Sequence, residues 1–316
     1  MINLREITID DKELIDKYLK LQCIESSEFT FTNLFMWRKS YDIKFAIIND
    51  CVCFFPQHIG FDGKNANSSP RSATFPAGDT SCAENIKCAI LEILKYFEEI
   101  NQPPRIRLCN EESVELLHKL FPGKFVVTED VNMFDYVYSV EELISLSGKK
   151  FHQKRNHINK FKSLYNYEYR KITKDNLNDC ALLFERWFNS RTIDEIDVLE
   201  GKEAFVEFIM NFDKLDAKGG GIYVDDKLVA FSFGEPLCAH AMVIHFEVAD
   251  TSFQGAFPMI NQQFLEHEWS KYEFVNREED MGLEGLRRAK RSYNPVKFTK
   301  KYVASFKETT QNLDIY

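Results

Sequence analysis

The chain has 316 residues, 44% of them apolar and 28% charged, which is the balance of a globular protein long enough for two domains. No stretch approaches the roughly 20 apolar residues that span a bilayer, and the charged N-terminus contains no apolar core of a secretory signal. These features exclude a membrane-spanning class, and we expect a cytoplasmic protein. The eight cysteines form no C-x-x-C pair and no Cys/His spacing typical of zinc ligands. We interpret them as small buried hydrophobes and expect no metal site.

The charge is distributed unevenly along the chain. The net charge of −9 argues against a general nucleic-acid coat. Two acid-free stretches nevertheless concentrate bases: six Lys or Arg residues lie in Leu143–Tyr167 and seven in Leu286–Phe306. Two basic islands on an acidic body are consistent either with solvated helix faces or with a site for an anionic ligand.

The first half of the chain alternates strand and helix signals. Arg5–Asp10 predicts a short strand that ends in an Asp helix cap, followed by an amphipathic helix. Asn49-Asp50 separates two apolar runs as a hairpin turn does. The polar stretch Asp62–Arg71 indicates a mobile loop. A long helix is predicted over Ala83–Phe97 and a strand over Arg105–Cys109.

The second half repeats this order. Arg170–Asp175 echoes the first strand and cap, Asp225-Asp226 the hairpin turn, Gly255–Trp269 the long helix and Tyr272–Asn276 the strand. The offsets all lie between 165 and 176 residues, which indicates duplication. We therefore predict a mixed α/β fold of two similar domains, divided after residue 147.

The two copies differ in the turn before the long helix. In the second copy no acid occurs from Thr251 to Leu265, and a helix that begins near Gly255 directs free N–H groups at the loop, which favours a phosphate. In the first copy Asp79 and Glu84 occupy the equivalent place and are expected to repel one. We predict a donor site at residues 248–258, the alternative being an ordinary glycine-containing turn. The residues assigned to it are Val248, Ala249, Phe253, Gln254, Gly255, Ala256 and Phe257.

Three features of the sequence resemble a known family. A strand, loop and helix with Gln254-Gly255-Ala256 after a three-strand meander resembles the acyl-CoA-binding core of the GNAT acyltransferase fold. The two tandem copies and the segments Ser147–Lys160 and Asn276–Lys290 are similar to the domain at the C-terminus of phosphatidylglycerol lysyltransferases. The resemblance covers nearly the whole chain. It implies a tandem GNAT-like fold, shared with Fem-type aminoacyltransferases, which transfer an aminoacyl group from charged tRNA to a lipid or peptide acceptor.

This resemblance implies an acyltransferase. Residues 1–147 are then the N-terminal GNAT-like scaffold, and residues 148–316 are the C-terminal GNAT-like domain that carries the donor site. The donor is coenzyme A carrying an acyl group or, alternatively, aminoacyl-tRNA, and no metal is needed. The acceptor is an amine or hydroxyl group of a small molecule, lipid or peptide. A second hypothesis is a non-catalytic module that binds tRNA or other RNA on a decayed transferase fold, because the basic islands also suit a polyanion.

Acyl transfer needs a nucleophile, a route for its proton, oxyanion stabilisation and a proton for the leaving group. The resemblance places residues 246–249 beside the acyl carbonyl and Tyr293 where many GNAT enzymes hold the tyrosine that protonates the leaving thiolate; the alternative for Tyr293 is core packing. Asp280 and Glu279 are predicted to orient an ammonium acceptor or to act as a base, with helix-terminal charge as the alternative.

The predicted helix Lys150–Tyr165 places bases beside apolar neighbours, since Lys154 falls between Ile158 and Phe161 on a helical wheel. This pattern indicates either a partly buried anion-binding edge or snorkelling side chains. The anion-binding candidates of the two islands are Lys154, Arg155, Asn159, Arg287 and Arg288. Hydrolase and metallopeptidase classes are not supported, because the chain lacks a G-x-S-x-G elbow at Ser232 and an H-E-x-x-H motif at His267.

Overall fold

A computed structural model of the chain describes residues 2–57, 70–190 and 195–307, with the side chains of 195–200 left out. The helices are α1 Lys12–Leu19, α2 Phe31–Trp37, α3 Ala83–Glu99, α4 Glu111–Leu120, α5 Val140–Ser145, α6 His152–Leu164, α7 Leu177–Asn189, α8 Glu195–Asn211, α9 Ala256–Phe264 and α10 Glu284–Arg291. The strands are β1 Arg5–Glu6, β2 Lys44–Ile48, β3 Cys51–Phe55, β4 Ala73–Thr74, β5 Ala77–Gly78, β6 Arg105–Cys109, β7 Phe125–Glu129, β8 Asp135–Ser139, β9 Tyr167–Ile172, β10 Lys218–Val224, β11 Lys227–Pro236, β12 Ala241–Ala249, β13 Phe274–Asn276, β14 Lys297–Thr299 and β15 Tyr302–Phe306.

The chain forms two compact units, each assembled from more than one segment. Unit 1 comprises Met1–Gln22, Trp37–Met133 and Lys300–Tyr316, and unit 2 comprises Cys23–Met36 and Phe134–Thr299. Unit 1 contains two four-stranded sheets, in the orders β1-β2-β3-β5 and β4-β6-β15-β7. Unit 2 is built on one seven-stranded sheet in the order β14-β8-β13-β12-β11-β10-β9.

The repeated element order is visible in both units. Each has a strand, a helical segment, a hairpin, further strand structure, a long helix and then a strand that pairs in parallel, β6 with β4 and β13 with β12. Both predicted hairpin turns are confirmed, because Asn49-Asp50 joins β2 to β3 and Asp225-Asp226 joins β10 to β11. All four turn residues have positive φ, the conformation that two-residue hairpin turns require and that Asn and Asp tolerate.

One strand of each half of the sequence pairs within the other half's sheet. β8 precedes residue 147 yet lies between β13 and β14 in unit 2. β15, at the other end of the chain, lies between β6 and β7 in unit 1. The compact units are therefore not two uninterrupted stretches of chain. The duplication boundary after residue 147 stays a prediction.

Buried apolar side chains fix the helices to the sheets. In unit 1, α3 buries Ile86, Ile90, Ile93 and Phe97 at the three- and four-residue spacing of a helix face. In unit 2, Phe151, just before α6, and Ile158 and Phe161 within it join a core with Phe264 of α9. The basic helix α6 therefore packs its apolar edge against the core of unit 2.

Some local predictions need correction. The 3-10 turns that lead into α1 and α7 are capped by Thr8 and Thr173, whose backbone N–H groups donate to the side chains of Asp11 and Asn176. Asp10 and Asp175 lie inside those turns. The predicted helix over 255–269 is α-helical only as far as Phe264 and ends in a π-helical turn, Leu265–Trp269. The loop predicted over 62–71 lies outside the described residues except at its last two positions.

Candidate functional site

The central strands of unit 2 diverge. β12 and β13 run parallel and pair only at Ala241–Phe274, Met242–Val275 and Val243–Asn276, after which β12 continues to Ala249. A bulge at His245 interrupts the pairing of β12 with β11. Phe246 pairs with Phe233 and Ile244 with Gly234, so His245 is the extra residue between the two pairs. β12 and β13 therefore separate after their third pair, and residues beyond that pair face each other across the gap.

On the side of the sheet covered by α6 and α9, an ion pair bridges this gap. Arg277 Nη2, just after β13, donates to Glu247 Oε1 of β12 at 2.8 Å, and Asn261 of α9 donates to the other Glu247 oxygen at 2.8 Å. Arg277 Nη1 is buried and has no hydrogen-bond acceptor among the described residues. Such a donor is costly to leave without a partner, so it is suited to an acceptor brought by a ligand.

Lys154 and Tyr293 complete this group, which we call the Arg277 cluster: Lys154, Glu247, Asn261, Arg277 and Tyr293. The Lys154 Nζ lies 3.5 Å from the centroid of the Tyr293 ring, and the Arg277 guanidinium lies 4.5 Å from the same centroid. Lys154 Nζ also donates to Ser292 Oγ at 2.7 Å. Two cations and an aromatic ring are therefore held beside one carboxylate.

Burial sets the protonation states in the Arg277 cluster. Loss of hydration, reinforced by the charge of Arg277 and only partly offset by Glu247, lowers the pKa of Lys154 to about 8. Burial raises the pKa of Tyr293 well above its ordinary value, although the nearby Arg277 charge opposes the shift. Lys154 can therefore exchange a proton near neutral pH, whereas Tyr293 stays protonated and could only donate.

A second network lies beside the bulge. His245 is fully buried, with Nε2 at 2.9 Å from Glu235 Oε1 and Nδ1 at 2.9 Å from Glu278 Oε1. Thr32 of α2 donates to the other Glu235 oxygen at 2.8 Å. Burial alone would lower the pKa of His245, but the two carboxylates raise it to about 9. His245 is therefore an imidazolium that holds β12 to the end of β13, and it is unsuited to act as a base.

The predicted catalytic carboxylates have other surroundings. Asp280 is buried and accepts from Tyr136 Oη at 2.6 Å, from Gly282 N at 2.8 Å and from Arg287 at 2.8 and 2.9 Å. Burial would raise its pKa, but these donors hold it at about 2, so it is a weak base. The Glu279 carbonyl oxygen accepts from Lys290 Nζ. This geometry favours a structural turn after β13, and the catalytic roles of Asp280 and Glu279 stay predictions.

The predicted donor loop begins with a hydrogen-bonded carboxylate. Its Asp250 carboxylate accepts from Ser252 N at 3.0 Å. Burial would raise the pKa of Asp250, but hydrogen bonds from Ser252 hold it below its ordinary value. The first copy has the same Asp-Thr-Ser turn, since Asp79 accepts from Ser81 N at 2.9 Å and has a pKa lowered by Ser81. Asp79 therefore has a counterpart in Asp250, just before the acid-free stretch, whereas Glu84 has none from Thr251 to Leu265.

The remaining donor-loop residues contribute mostly to packing. Gly255 has φ 92°, and a Cβ there would overlap the His157 carbonyl oxygen of α6. Ala256 N donates to Phe253 O at 3.1 Å, and the Phe253 ring packs on Tyr165 with centroids 5.1 Å apart. Val248, Ala249 and Ala256 are buried, Phe257 is half-buried against the core and Gln254 is exposed. The donor-binding role of these seven residues, and coenzyme A as the donor, stay predictions.

Some of the anion-binding candidates have a partner within the chain, and others are exposed. Arg155 donates to the carbonyls of Leu146 and Gly148, and Arg287 is paired with Asp280. Asn159 and Arg288 are exposed. In the same islands Lys297 pairs with Glu25, Lys300 with Glu111, and Lys301 is buried. The solvent-facing bases of unit 2 include Lys149, Lys160, Lys162, Arg288 and Arg291. They belong to α6 and α10 and their flanks, which meet where Lys154 contacts Ser292.

Sequence reasoning did not name Glu247, Arg277 or His245 as site residues, although the range 246–249 expected beside the acyl carbonyl includes Glu247. His245 and Glu247 are polar residues in an otherwise apolar strand, and Arg277 lies in a segment already noted for its resemblance to the family. The interpretation of the cysteines needs a correction as well. Cys51, Cys53, Cys109 and Cys180 are buried free thiols as expected, but Cys23 and Cys238 meet beside His240, which spacing along the chain concealed.

Comparisons with known proteins agree with this architecture. A family model described as phosphatidylglycerol lysyltransferase, C-terminal, matches residues 23–305. A conserved protein of unknown function from Bacteroides thetaiotaomicron VPI-5482 is 33% identical, with 97% of this chain and 100% of that chain covered and a TM-score of 0.88. The chain belongs to the phosphatidylglycerol lysyltransferase C-terminal family, an aminoacyl-transfer family.

More distant structures share the fold. L-PGS from Bacillus licheniformis is 15% identical over 96% of this chain and 93% of that chain, with a TM-score of 0.64. FemX is 8% identical over 97% and 98%, with a TM-score of 0.59. An uncharacterised protein of Mycoplasmoides gallisepticum is 24% identical over 172 residues. The chain spans about half of that curated relative's length, 55%. The expected mixed α/β, tandem GNAT-like fold is confirmed. No helix in the described part of the chain has the length and apolar character to cross a membrane.

Proposed function

We propose that this chain is an aminoacyltransferase that moves an aminoacyl group from aminoacyl-tRNA to an amine or hydroxyl acceptor, with the chemistry at the Arg277 cluster. The observation that carries the proposal is the buried Arg277 Nη1, which has no acceptor among the described residues and lies beside Lys154, whose pKa is lowered to about 8. A fixed donor and a group that exchanges protons near neutral pH are the two elements that ester aminolysis needs.

The residues divide the reaction between them. The acceptor attacks the ester carbonyl, and neutral Lys154 takes the proton that the acceptor loses. Arg277 Nη1 donates to the carbonyl oxygen as it gains negative charge, while Glu247 and Asn261 hold the guanidinium in place. The bond from the carbonyl carbon to the ribose oxygen then breaks, and Lys154 returns its proton to that oxygen. Tyr293 keeps both cations close to the reacting carbonyl.

The surroundings of the cluster support tRNA as the donor. The exposed bases belong to α6, α10 and their flanks, and these two helices meet at the contact of Lys154 with Ser292. Such bases drive polyanion binding through release of counterions. The turn at residues 250–256 carries the Asp250 carboxylate and lies against the His157 carbonyl oxygen, and both would repel the diphosphate of coenzyme A. The name of the family and the L-PGS and FemX neighbours also favour an aminoacyl donor over acetyl-CoA. The acceptor class stays open to amines, peptides and lipid headgroups.

The test is transfer of a radiolabelled amino acid from tRNA to phosphatidylglycerol vesicles or to a panel of primary amines. We expect protein-dependent loss of label from tRNA with stoichiometric gain in one acceptor, and no consumption of acetyl-CoA. Arg277→Gln should lower the rate about 100- to 1,000-fold, the usual cost of removing an oxyanion donor. The control Lys160→Gln removes an exposed base of α6, the helix that also carries Lys154, and should lower the rate far less because it costs at most one tRNA contact. Tight tRNA binding without transfer to any acceptor would favour the non-catalytic alternative.

A further inference from the structure

Two cysteines and a histidine that are remote in sequence come together in unit 2. Cys23 and Cys238, 215 residues apart, have Cα atoms 5.4 Å apart and their sulfur atoms in bonding contact. His240 Nδ1 lies 4.0 Å from Cys23 Sγ and 3.7 Å from Cys238 Sγ. The three side chains thus present two sulfur atoms and one ring nitrogen to a common point, with Cys23 exposed to solvent.

Backbone hydrogen bonds hold the histidine side of this group. The turn between β11 and β12 is closed by the N–H groups of Leu237 and Cys238, which both donate to the Ala241 carbonyl at 2.9 and 3.0 Å. The His240 carbonyl accepts from Glu273 N at 3.0 Å and from Phe274 N at 3.1 Å, where β13 begins. Cys238 and His240 are therefore set in position by the sheet and need little ordering to act together.

A carboxylate orients the imidazole. Glu25 Oε1 accepts from His240 Nε2 at 2.8 Å, which places the ring proton on Nε2 and leaves Nδ1 as the nitrogen that can bind a metal. Cys238 Sγ lies beside the ring, 3.7 Å from Nδ1 and 4.0 Å from Nε2, so a sulfur must move to the Nδ1 side when an ion binds. Lys297 lies 2.7 Å from the other Glu25 oxygen and helps to keep this carboxylate ionised. A carboxylate on one ring nitrogen of a histidine whose other nitrogen is free for a metal is the arrangement found around histidine ligands of zinc.

We propose that Cys23, Cys238 and His240 bind a zinc ion when the two cysteines are reduced. Zinc bonds of about 2.3 Å to sulfur and 2.0 Å to nitrogen in a tetrahedral site separate a sulfur from a nitrogen ligand by about 3.5 Å, close to the two distances here. Rotation of the thiolate side chains opens the sulfur pair around the ion. The exposed side at Cys23 leaves the fourth position to water or to an outside ligand. The site is separate from the Arg277 cluster and does not depend on the proposed transfer activity.

The proposed ion would fasten the segment 23–36 to the rest of unit 2. Cys23 begins the segment 23–36 of unit 2, in which Thr32 also donates to the Glu235 carboxylate and Ser27 to Asp135. Zinc between Cys23 and the β11–β12 turn would therefore tie that segment to the sheet that carries His245.

The experiment uses the full chain, reduced with a phosphine, freed of metal with EDTA and then titrated with Co²⁺ and with Zn²⁺. We expect one Co²⁺ per chain with a thiolate-to-cobalt charge-transfer band, which one equivalent of Zn²⁺ removes. Cys238→Ser and His240→Ala should lower the affinity at least tenfold. Glu25→Gln should lower it by roughly 10- to 100-fold, as for other groups that orient a ligand. The control Cys88→Ser, a half-buried free thiol of α3, should leave binding unchanged.

Circular dichroism of each variant checks that the fold is retained. The proposal is overturned if the reduced wild-type chain, with its thiols confirmed by titration, gives no charge-transfer band and keeps no zinc. It is also overturned if Cys238→Ser binds as tightly as the wild type, or if Cys23 and Cys238 remain joined in the presence of the phosphine.

Discussion

Replacing His245 by glutamine should change the pH dependence of folding stability. The folded pKa of His245, about 9, lies above the ordinary value of 6.5, and this difference corresponds to about 3 kcal/mol in favour of the charged folded state. Because the folded value is the higher one, this stabilisation is complete below pH 6.5 and is lost as the pH rises through 9. The charged groups that face the ring are Glu235 and Glu278, and Thr32 lies behind Glu235.

The assay is chemical denaturation of wild type and His245→Gln at several pH values between 6 and 9.5. Comparing the two proteins cancels groups that titrate in both, among them Lys154, whose lowered pKa acts in the opposite direction. At pH 6 the variant should be about 3 to 5 kcal/mol less stable, because two buried carboxylates lose their cation. At pH 9.5 the difference should be about 3 kcal/mol smaller. A difference that does not vary with pH would refute a charged, doubly paired His245.

Three further predictions concern neighbouring residues. Gly255→Ala should destabilise the chain by more than about 2 kcal/mol, because the new Cβ would overlap the His157 carbonyl and the φ of this position is unfavourable for alanine. The control Gly123→Ala has φ 70° but open space around the new Cβ, and should cost only about 1 to 2 kcal/mol in a thermal melt. Asp280→Asn should cost roughly 1.5 to 3 kcal/mol by loss of the Arg287 and Tyr136 contacts without changing the shape of the pH–rate profile; a shifted profile would return Asp280 to the catalytic group. Lys160→Gln and Arg288→Gln should each reduce the slope of log affinity for tRNA against log salt by about one, and unchanged slopes would place tRNA elsewhere.

Local sequence signals predicted much of the fold. Asn49-Asp50 and Asp225-Asp226 were predictable as turns because two adjacent residues that tolerate positive φ between apolar runs suffice to form a hairpin. The apolar spacing along α3 likewise depends only on neighbours within the helix. The caps were misassigned by two residues because Thr and Asp both accept N–H groups, and only the geometry distinguishes them.

The site depends on contacts that no local pattern contains. Glu247 and Arg277 are 30 residues apart and meet only because β12 and β13 pair in parallel for three residues and then diverge. The bulge at His245 interrupts the alternation along β12, so the strand's polar residues could not be assigned to faces from spacing. Asp280 was predicted to be catalytic because it is an acid near a basic run, yet that same proximity makes it Arg287's partner.

The most direct test of the central claim is the single-turnover rate of aminoacyl transfer from labelled tRNA as a function of pH, for wild type and Lys154→Met. If neutral Lys154 takes the proton of the acceptor, the wild-type rate should rise as the pH passes through about 8 and then level off, in line with the lowered pKa of this residue. Lys154→Met should lose this rise and transfer about 100- to 10,000-fold more slowly while still binding tRNA. A Lys154→Met protein that transfers at the wild-type rate, or a wild-type chain that removes no amino acid from tRNA at any pH, would contradict the account.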